Sequence, residues 1–363
     1  MDNTKKRKIV RNFVIGYLII QVLTIVVYLG FWSLHPEGIT NVTNERMSPP
    51  PIFPDYKGTT IPYNIAPLNF RINVPADECY AKIEGSESEV FEYHGTNTIR
   101  FKMKDWIRLT RANRGKAFFV TIATKIGDEW TKWAPFSVYI SDQAIDSHLV
   151  YRLIEPGYEK WHIVGIYQRN LESFDEQPII RNDMTGYNCM NCHSFCMGDP
   201  DRGEISFPID TLVHADSLSY TFPRISPDGR FLMYTETAYG QFPIWHPDAE
   251  IRMMDLENRT AMDMSALNSP DTDSYHSWSS NSDWVVFSSR RDNGLYTLPY
   301  ICYIGKDGKP SKPFLLPQED PDKYDYQLYS YNIPELTKGA VEVSPYEIQQ
   351  VAEKNKPEQV RFK

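Results

Sequence analysis

The chain lacks several features that would place it in a common functional class. It has no basic surplus, since its formal net charge is -9, and neutralising phosphates requires a basic face. We therefore expect no nucleic-acid partner. The sequence has no Gly-x-Ser-x-Gly elbow, Gly-rich phosphate loop or His-Glu-x-x-His pair, the motifs of hydrolases, nucleotide-binding proteins and metalloproteases. A protein that is not an enzyme is therefore favoured.

Cysteine is scarce, and the chain has no second Cys-x-x-Cys pair. Of the five cysteines, Cys189, Cys192 and Cys196 are close together, whereas Cys79 and Cys302 are isolated. A structural zinc site usually combines two separated pairs of ligands, a redox dithiol would need a βαβ context, and an iron–sulfur cluster would need a fourth nearby cysteine. Each of these three kinds of site therefore fits the cysteine spacing poorly, but zinc stays open.

Long apolar runs are also rare, and one stands out near the N-terminus. It extends from Phe13 to Leu34, beyond the ~20 residues that a membrane-spanning helix requires. A cleaved signal peptide usually has an apolar region of only ~7–15 residues. Basic residues precede the run and aromatic Phe31 and Trp32 end it, which predicts a single-pass anchor with its N-terminus inside.

The composition favours strands and turns. Aromatic residues make up 13% of the chain and there are 26 prolines, so we predict an all-β protein. Short alternating segments predict strands in a small Ig-like β-sandwich. These segments are Phe70–Val74, Thr98–Lys102, Ala117–Ile122 and Phe136–Ile140. Between the last two, Trp130 and Trp133 are expected to pack in the core or at a sheet edge.

An internal repeat marks the C-terminal half. Phe222–Tyr234 aligns with Tyr275–Phe287 at an offset of 53 residues, and each copy contains an aromatic segment after a tight turn. A third turn, Lys306–Lys309, fits the next hairpin. The offset is near the ~40–50 residues of propeller blades, so the repeat predicts a β-propeller.

The repeat also carries a resemblance to a known family. Ile225–Arg230 (ISPDGR) and Trp278–Asp283 (WSSNSD) resemble the blade signature of TolB-like β-propellers, although the second copy lacks the proline and the glycine. The tract from Tyr151 to Phe195 resembles exported bacterial proteins in which such a propeller carries an embedded Cys-x-x-Cys-His. The resemblance covers roughly Ser141 to the C-terminus. It implies a TolB-like propeller and supplies no settled reaction.

The motif with the clearest chemistry is Cys189–His193 (CMNCH). Its spacing matches c-type haem attachment, in which two thiols form thioethers and the adjacent imidazole becomes an axial iron ligand. We therefore predict one covalent haem c on Cys189, Cys192 and His193. This haem would be loaded outside the inner membrane, in agreement with the predicted anchor. Cys196 would be left as a buried thiol or as half of a disulfide with Cys79 or Cys302.

The second axial ligand stays open in the sequence. Met197 is too close to His193 in the chain to reach the opposite haem face easily. The remaining candidates are His214, His246 and His276, with Met184 and Met190 as nearby sulfurs. Each of these side chains, taken alone, more often has a structural role than a ligand role. The haem iron could also have no second ligand, and such a five-coordinate haem would permit ligand sensing or peroxide chemistry.

These features predict the following organisation: a cytoplasmic basic tail (1–11), a transmembrane anchor (12–34), a Pro-rich linker (35–60), a β-sandwich (61–141) and a propeller (142–363) with the haem motif inserted at 189–193.

The predicted function is that of a periplasmic monohaem cytochrome-like protein in a bacterial inner membrane, with redox protein partners and a role in electron transfer or redox sensing. The alternative is a propeller that binds a protein or glycan ligand, with a structural haem or zinc. The acidic tract Gln318–Asp325 could bind calcium, but charge runs of this kind are more often solvated loops.

Overall fold

The computed structural model describes residues 21–22, 42–155, 164–187 and 211–354. Strands are the main regular structure of these residues and helices are few, which confirms the all-β prediction. No helix within them has the length and hydropathy to cross a bilayer. The predicted basic tail lies outside the described residues, and of the predicted anchor only Gln21 and Val22 are described, both helical.

Two sheets and one helix form the N-terminal half. The strands are β1 (Val42–Arg46), β2 (Ile52–Phe53), β3 (Thr60–Pro62), β4 (Phe70–Ile72), β5 (Glu78–Glu84), β6 (Val90–Gly95), β7 (Thr98–Ile99), β8 (Lys116–Ile126), β9 (Glu129–Trp133) and β10 (Phe136–Ser141), with helix α1 (Met103–Ala112) before β8. The large sheet has the order β1-β9-β8-β10-β3, with β5 and β6 extending from β8. The small sheet has the order β2-β4-β7.

The predicted strands of this half are present. β4, β7, β8 and β10 begin within a residue of the predicted segments, and alternate residues of β8 and β10 are buried. The Trp130–Trp133 tract forms β9, and the Trp133 indole Nε1 donates a 3.0 Å hydrogen bond to Thr124 Oγ1. Period-two burial therefore identified these strands correctly.

Helix α1 was not predicted. It places Trp106 and Leu109, three residues apart, on one buried face. The Trp106 indole Nε1 donates to Ile65 O at 2.7 Å, and its ring meets Phe118 of β8 at 5.9 Å. The helix therefore covers the large sheet, as a layer that a two-sheet sandwich lacks.

Part of the predicted linker is folded. β1 pairs with β9 and β2 pairs with β4, so residues 42–46 and 52–53 belong to the two sheets. Ile52 and Tyr56 are also buried. Burying these apolar side chains next to the prolines is favourable. The free energy gained outweighs the tendency of Pro49–Pro51 to form an exposed spacer.

Three four-stranded antiparallel sheets form the C-terminal half. Their strands are β11 (His148–Ile154), β12 (Gly165–Asn170), β13 (Glu176–Arg181), β14 (Ser219–Ile225), β15 (Phe231–Thr237), β16 (Glu250–Asp255), β17 (Thr260–Ala261), β18 (Asp273–Trp278), β19 (Trp284–Ser289), β20 (Leu298–Tyr303), β21 (Phe314–Leu315) and β22 (Ser330–Thr337). Helices α2 (Lys323–Tyr326) and α3 (Pro345–Lys354) flank β22.

The strand orders of these sheets share one pattern. The first sheet is β22-β11-β12-β13, the second is β14-β15-β16-β17 and the third is β18-β19-β20-β21. The second and third sheets are simple meanders, whereas the first takes its edge strand β22 from the C-terminal part of the chain. We call β22, β14 and β18 the inner strands. β18 packs against both β14 and β22, so the inner strands lie side by side.

Each inner strand carries the same irregularity. The pairing register shifts at a residue with positive φ in all three strands: Phe222 (53°), Tyr275 (52°) and Ile333 (49°). A bulky or β-branched residue seldom adopts a positive φ. An irregular backbone at a register shift is a feature of β-bulges, which bend a strand. The two aligned sequence copies are therefore hairpins as predicted, and Ile333 marks a third inner strand that the alignment did not detect.

The acidic tract joins the two halves of the chain. Arg71 Nη1 of β4 lies 2.7 Å from Asp322 Oδ1 and also pairs with Asp325, while Arg100 Nη2 lies 3.2 Å from Asp320 Oδ1. Asn69 Nδ2 donates to Glu319 O at 2.9 Å. The tract is thus a docking segment for the small sheet, which differs from both sequence interpretations, a calcium site and a solvated loop.

Candidate functional site

A cleft of about 750 Å³ opens where the last residues of the three inner strands meet. All three strands line it, together with the turns that follow β14 and β18 and the segment before β11. Its lining includes Asp146, Pro223, Arg224, Ile225, Pro227, Trp278, Ser280, Glu335, Leu336 and Lys338. Clefts of this volume accommodate small organic ligands.

Hydrogen bonds across the cleft tie the sheets together. Arg224 Nη2 of β14 donates to Glu335 Oε1 of β22 at 3.2 Å. The indole Nε1 of Trp278 donates to Arg224 O at 3.3 Å. Ser280 donates from its backbone N and its Oγ to the two Asp146 oxygens, at 2.8 and 2.6 Å. The polar groups of the cleft are therefore positioned by three different sheets.

Aromatic contacts hold the second and third sheets together next to the cleft. The rings of Phe231 and Trp278 stack with centroids 6.4 Å apart and planes at 14°. Phe222 and Tyr275, the two bulge residues, meet edge to face at 4.8 Å. Because these geometries are favourable for aromatic pairs, the bulges and the cleft wall at Trp278 form one packed unit.

The predicted haem residues Cys189, Cys192 and His193 lie outside the described residues. The described chain stops at Tyr187, shortly after β13, and resumes at Thr211, before β14. Strand β13 ends at Arg181, which pairs with Gly165 of β12, and Gly165 pairs with Leu153 of β11. Leu153 in turn lies opposite Tyr331, near the start of β22, so β13 ends where β22 begins. Since β14 also begins there, the chain leaves and returns at the end of the sheets opposite the cleft.

Two candidate second ligands lie at that same end. His214 is largely exposed, with its Nε2 3.8 Å from Asp216 Oδ1. His246 lies in the loop after β15, and its ring meets Tyr239 edge to face at 4.5 Å. Met184 lies in a 3₁₀ turn (Asn182–Thr185) just before the described chain stops. Met190 and Met197 lie outside the described residues.

His276, the third candidate histidine, is buried in the interface between the second and third sheets. Its side chain is 3% exposed, and neither ring nitrogen has hydrogen-bond geometry with a described group. Burial lowers its pKa from 6.5 to about 4, partly opposed by the nearby backbone of Met233 and reinforced by the Arg224 charge. The ring is therefore neutral at physiological pH.

The buried imidazole predicts a stability loss in acid. The unfolded chain takes up the proton near pH 6.5 but the folded chain only near pH 4, so His276 stabilises the fold fully above ~6.5 and progressively less as the pH falls. The loss amounts to about 3 kcal/mol by pH 4. His276→Gln should flatten the dependence of unfolding free energy on pH between 6.5 and 4, as measured by urea denaturation. The control is His94→Gln, which replaces an exposed histidine of β6 in the other half of the chain, and its curve should have the same shape as that of the wild type.

The two isolated cysteines are buried free thiols, Cys79 in β5 of the large sheet and Cys302 in β20 of the third C-terminal sheet. Cys79 and Cys302 are 1% and 0% exposed. Burial raises the pKa of Cys79 to about 11 and that of Cys302 to about 12. A thiol that stays protonated is a poor nucleophile and metal ligand. In the described part of the chain, no group of three His, Cys, Asp or Glu side chains could hold a metal ion.

Comparisons with known proteins found no related family and only weak structural similarity. No protein-family model matches the chain, and no curated protein matches it. Among solved structures, it is similar to a prolyl endopeptidase at 12% identity and a TM-score of 0.23, over 48% of this chain and 23% of that one.

A second similar structure is an oligogalacturonate lyase in complex with manganese, at 14% identity and a TM-score of 0.20, over 55% of this chain and 42% of that one. The chain thus spans less than half the length of either protein. TM-scores this low carry no argument about its fold or activity.

The cleft was missed in the sequence because its residues are far apart in the chain. Arg224 and Glu335, for example, are separated by 111 positions. One signal was available: Phe222-Pro223-Arg224 and Ile333-Pro334-Glu335 share an apolar-Pro-charged pattern. Only the pairing of β22 with β11 shows that the two segments are equivalent.

Proposed function

We propose that the chain is a membrane-anchored protein that carries one covalent haem c and transfers electrons or senses redox state outside the bacterial inner membrane. The observation that carries this proposal is the Cys189–His193 motif on a chain with one long apolar N-terminal run. Thioethers from Cys189 and Cys192 would fix the porphyrin edge, and His193 Nε2 would bind the iron. The haem would supply a one-electron couple.

The chain's own residues would tune that couple. His214 and His246 are at the end of the sheets where the described chain leaves and returns, so they are the better candidates for a second ligand. His276 would have to leave its buried interface between two sheets to bind iron. A redox protein partner would dock close to the haem.

Coexpression with the cytochrome c maturation machinery tests the haem directly. The full chain, purified in detergent, should show a Soret band that survives denaturation and acid-acetone extraction, and without the machinery it should be colourless. A reversible potentiometric titration would then support electron transfer over a structural haem. Colourless protein that contains zinc would contradict the proposal.

The described C-terminal sheets are proposed to be blades of a TolB-like β-propeller. Four-stranded antiparallel sheets are the units of propellers. Strand β22, from the C-terminal part of the chain, completes the first of these sheets, and in a propeller such a strand would join the last blade to the first. Propellers commonly have four to eight blades, whereas the described residues contain three such sheets.

A second function is favoured by the cleft: a ligand-binding face on the same sheets. The cleft is formed by the inner strands and their turns, as propeller binding faces are. NMR would test this function through the indole N–H resonance of Trp278, which lies in the cleft wall. A shift of this resonance on addition of small apolar fragments would support a binding role, and its insensitivity to every fragment would contradict one.

A further inference from the structure

The charges of the cleft are unequally available to a ligand. The Glu335 side chain is 7% exposed and pairs with Arg224, whose side chain is 37% exposed. Both Asp146 oxygens accept hydrogen bonds from Ser280. The carboxylates are thus engaged within the protein, while the cationic groups face the open space.

Lys338 adds a second accessible cation. It is exposed, follows directly after β22 and lines the cleft, and its ammonium makes no ion pair with any described side chain. Arg224 is held from two sides, by Glu335 at its guanidinium and by Trp278 at its carbonyl. A guanidinium fixed in this way presents its remaining donors with little loss of side-chain entropy on binding.

The rest of the wall is apolar. Pro223, Pro227, Trp278 and Leu336 line the cleft, and Ile225 beside them is 58% exposed. An exposed isoleucine next to two prolines offers apolar surface that a ligand can bury. The wall therefore combines an apolar surface with two cations at its edge.

We propose that this cleft binds a carboxylate attached to an apolar body, with Arg224 and Lys338 binding the carboxylate and Ile225, Trp278 and Leu336 contacting the apolar part. This inference specifies the ligand of the second function above and does not depend on the haem. The same ligand chemistry occurs in a small organic acid and in the C-terminal residue of a polypeptide.

Isothermal titration calorimetry on the full chain in detergent tests the ligand class. The probes are 3-phenylpropionate and its neutral amide, and a short peptide ending in phenylalanine as the free acid and as the C-terminal amide. Each acid is expected to bind about tenfold or more tightly than its amide, because a charge-assisted hydrogen bond is stronger than a neutral one. Tighter binding of the peptide acid would identify a polypeptide terminus, and tighter binding of phenylpropionate a small acid.

The variants assign the binding to this cleft. Arg224→Gln should weaken acid binding about tenfold and leave amide binding unchanged, and the exposed Lys338→Gln should weaken acid binding to a smaller extent. Arg252→Gln is the matched control, since Arg252 pairs with Glu236 and Glu250 on the second sheet outside the cleft. It should bind like the wild type. Thermal unfolding of each variant checks that the fold is retained.

Two results would overturn the inference. If acid and amide bind equally well, the carboxylate is not recognised, although the binding function itself stands. If no probe binds at millimolar concentration and the Trp278 resonance stays unmoved, the binding function fails as well. Because Lys338 has no ion-pair partner among the described residues, Lys338→Gln remains informative even if Arg224→Gln unfolds.

Discussion

Serine at both Cys189 and Cys192 is expected to leave the full chain with no covalently bound haem. A c-type haem is attached through two thioether bonds, and a serine hydroxyl does not replace the thiol in that reaction. Either single variant would retain one attachment point and carry less haem. The measurement is the intact mass of the purified chain, together with the Soret absorbance that remains after acid-acetone extraction.

The matched control is Cys196→Ser, which lies outside the attachment motif and should keep the haem. Cys79 and Cys302 cannot take over attachment, because both are buried and the pKa values of their thiols are raised to about 11 and about 12. Haem retained by the double variant would disprove the assignment of the two sulfurs. A wild-type chain at its bare polypeptide mass would disprove the haem itself.

Asp273→Ala is expected to destabilise the C-terminal sheets by about 3–5 kcal/mol, since it leaves a largely buried guanidinium without its partner. Asp273 is 0% exposed, and its Oδ1 lies 2.8 Å from Arg291 Nη2. Its Oδ2 accepts from Ser269 N at 2.6 Å and from Ser269 Oγ at 2.8 Å. The carboxylate therefore anchors both the start of β18 and the loop that precedes it.

Urea denaturation followed by tryptophan fluorescence would measure this loss. Asp216→Asn is the control, because that side chain is 99% exposed and exposed charges contribute little to stability. Its denaturation midpoint should match that of the wild type. A midpoint for Asp273→Ala within error of the wild type would show that Arg291 finds a replacement partner, and the anchoring role would be wrong.

Local sequence patterns predicted much of the fold because strands are encoded by neighbouring residues. The alternation in Ala117–Ile122 and Phe136–Ile140 corresponds to β8 and β10, and the two aligned repeat copies form the β14–β15 and β18–β19 hairpins. Helix α1 was missed because its ten residues, half of them polar, are fewer than the ~11–18 over which a helical pattern is recognised. Its place in the fold depends on tertiary burial of Trp106 against Phe118.

The haem motif and the cleft also differ in how far local sequence could predict them. The haem motif is contiguous, so residue types and spacing alone suffice to propose its chemistry, and it remains a proposal. The cleft combines side chains from β14, β18 and β22, which no local pattern connects. Likewise, the sequence showed only that the tract Gln318–Asp325 is acidic. The structure shows that its carboxylates pair with Arg71 and Arg100.

The sequence by itself determined the all-β class, the hairpins of the second and third sheets and the haem hypothesis, since each depends on residues close together in the chain. The tertiary structure decided three other points: β22 completes the first sheet, His276 is a buried neutral side chain, and Arg224 meets Glu335 at a cleft. These depend on pairing and burial between distant segments, where many arrangements share the same local pattern and only their packing distinguishes them.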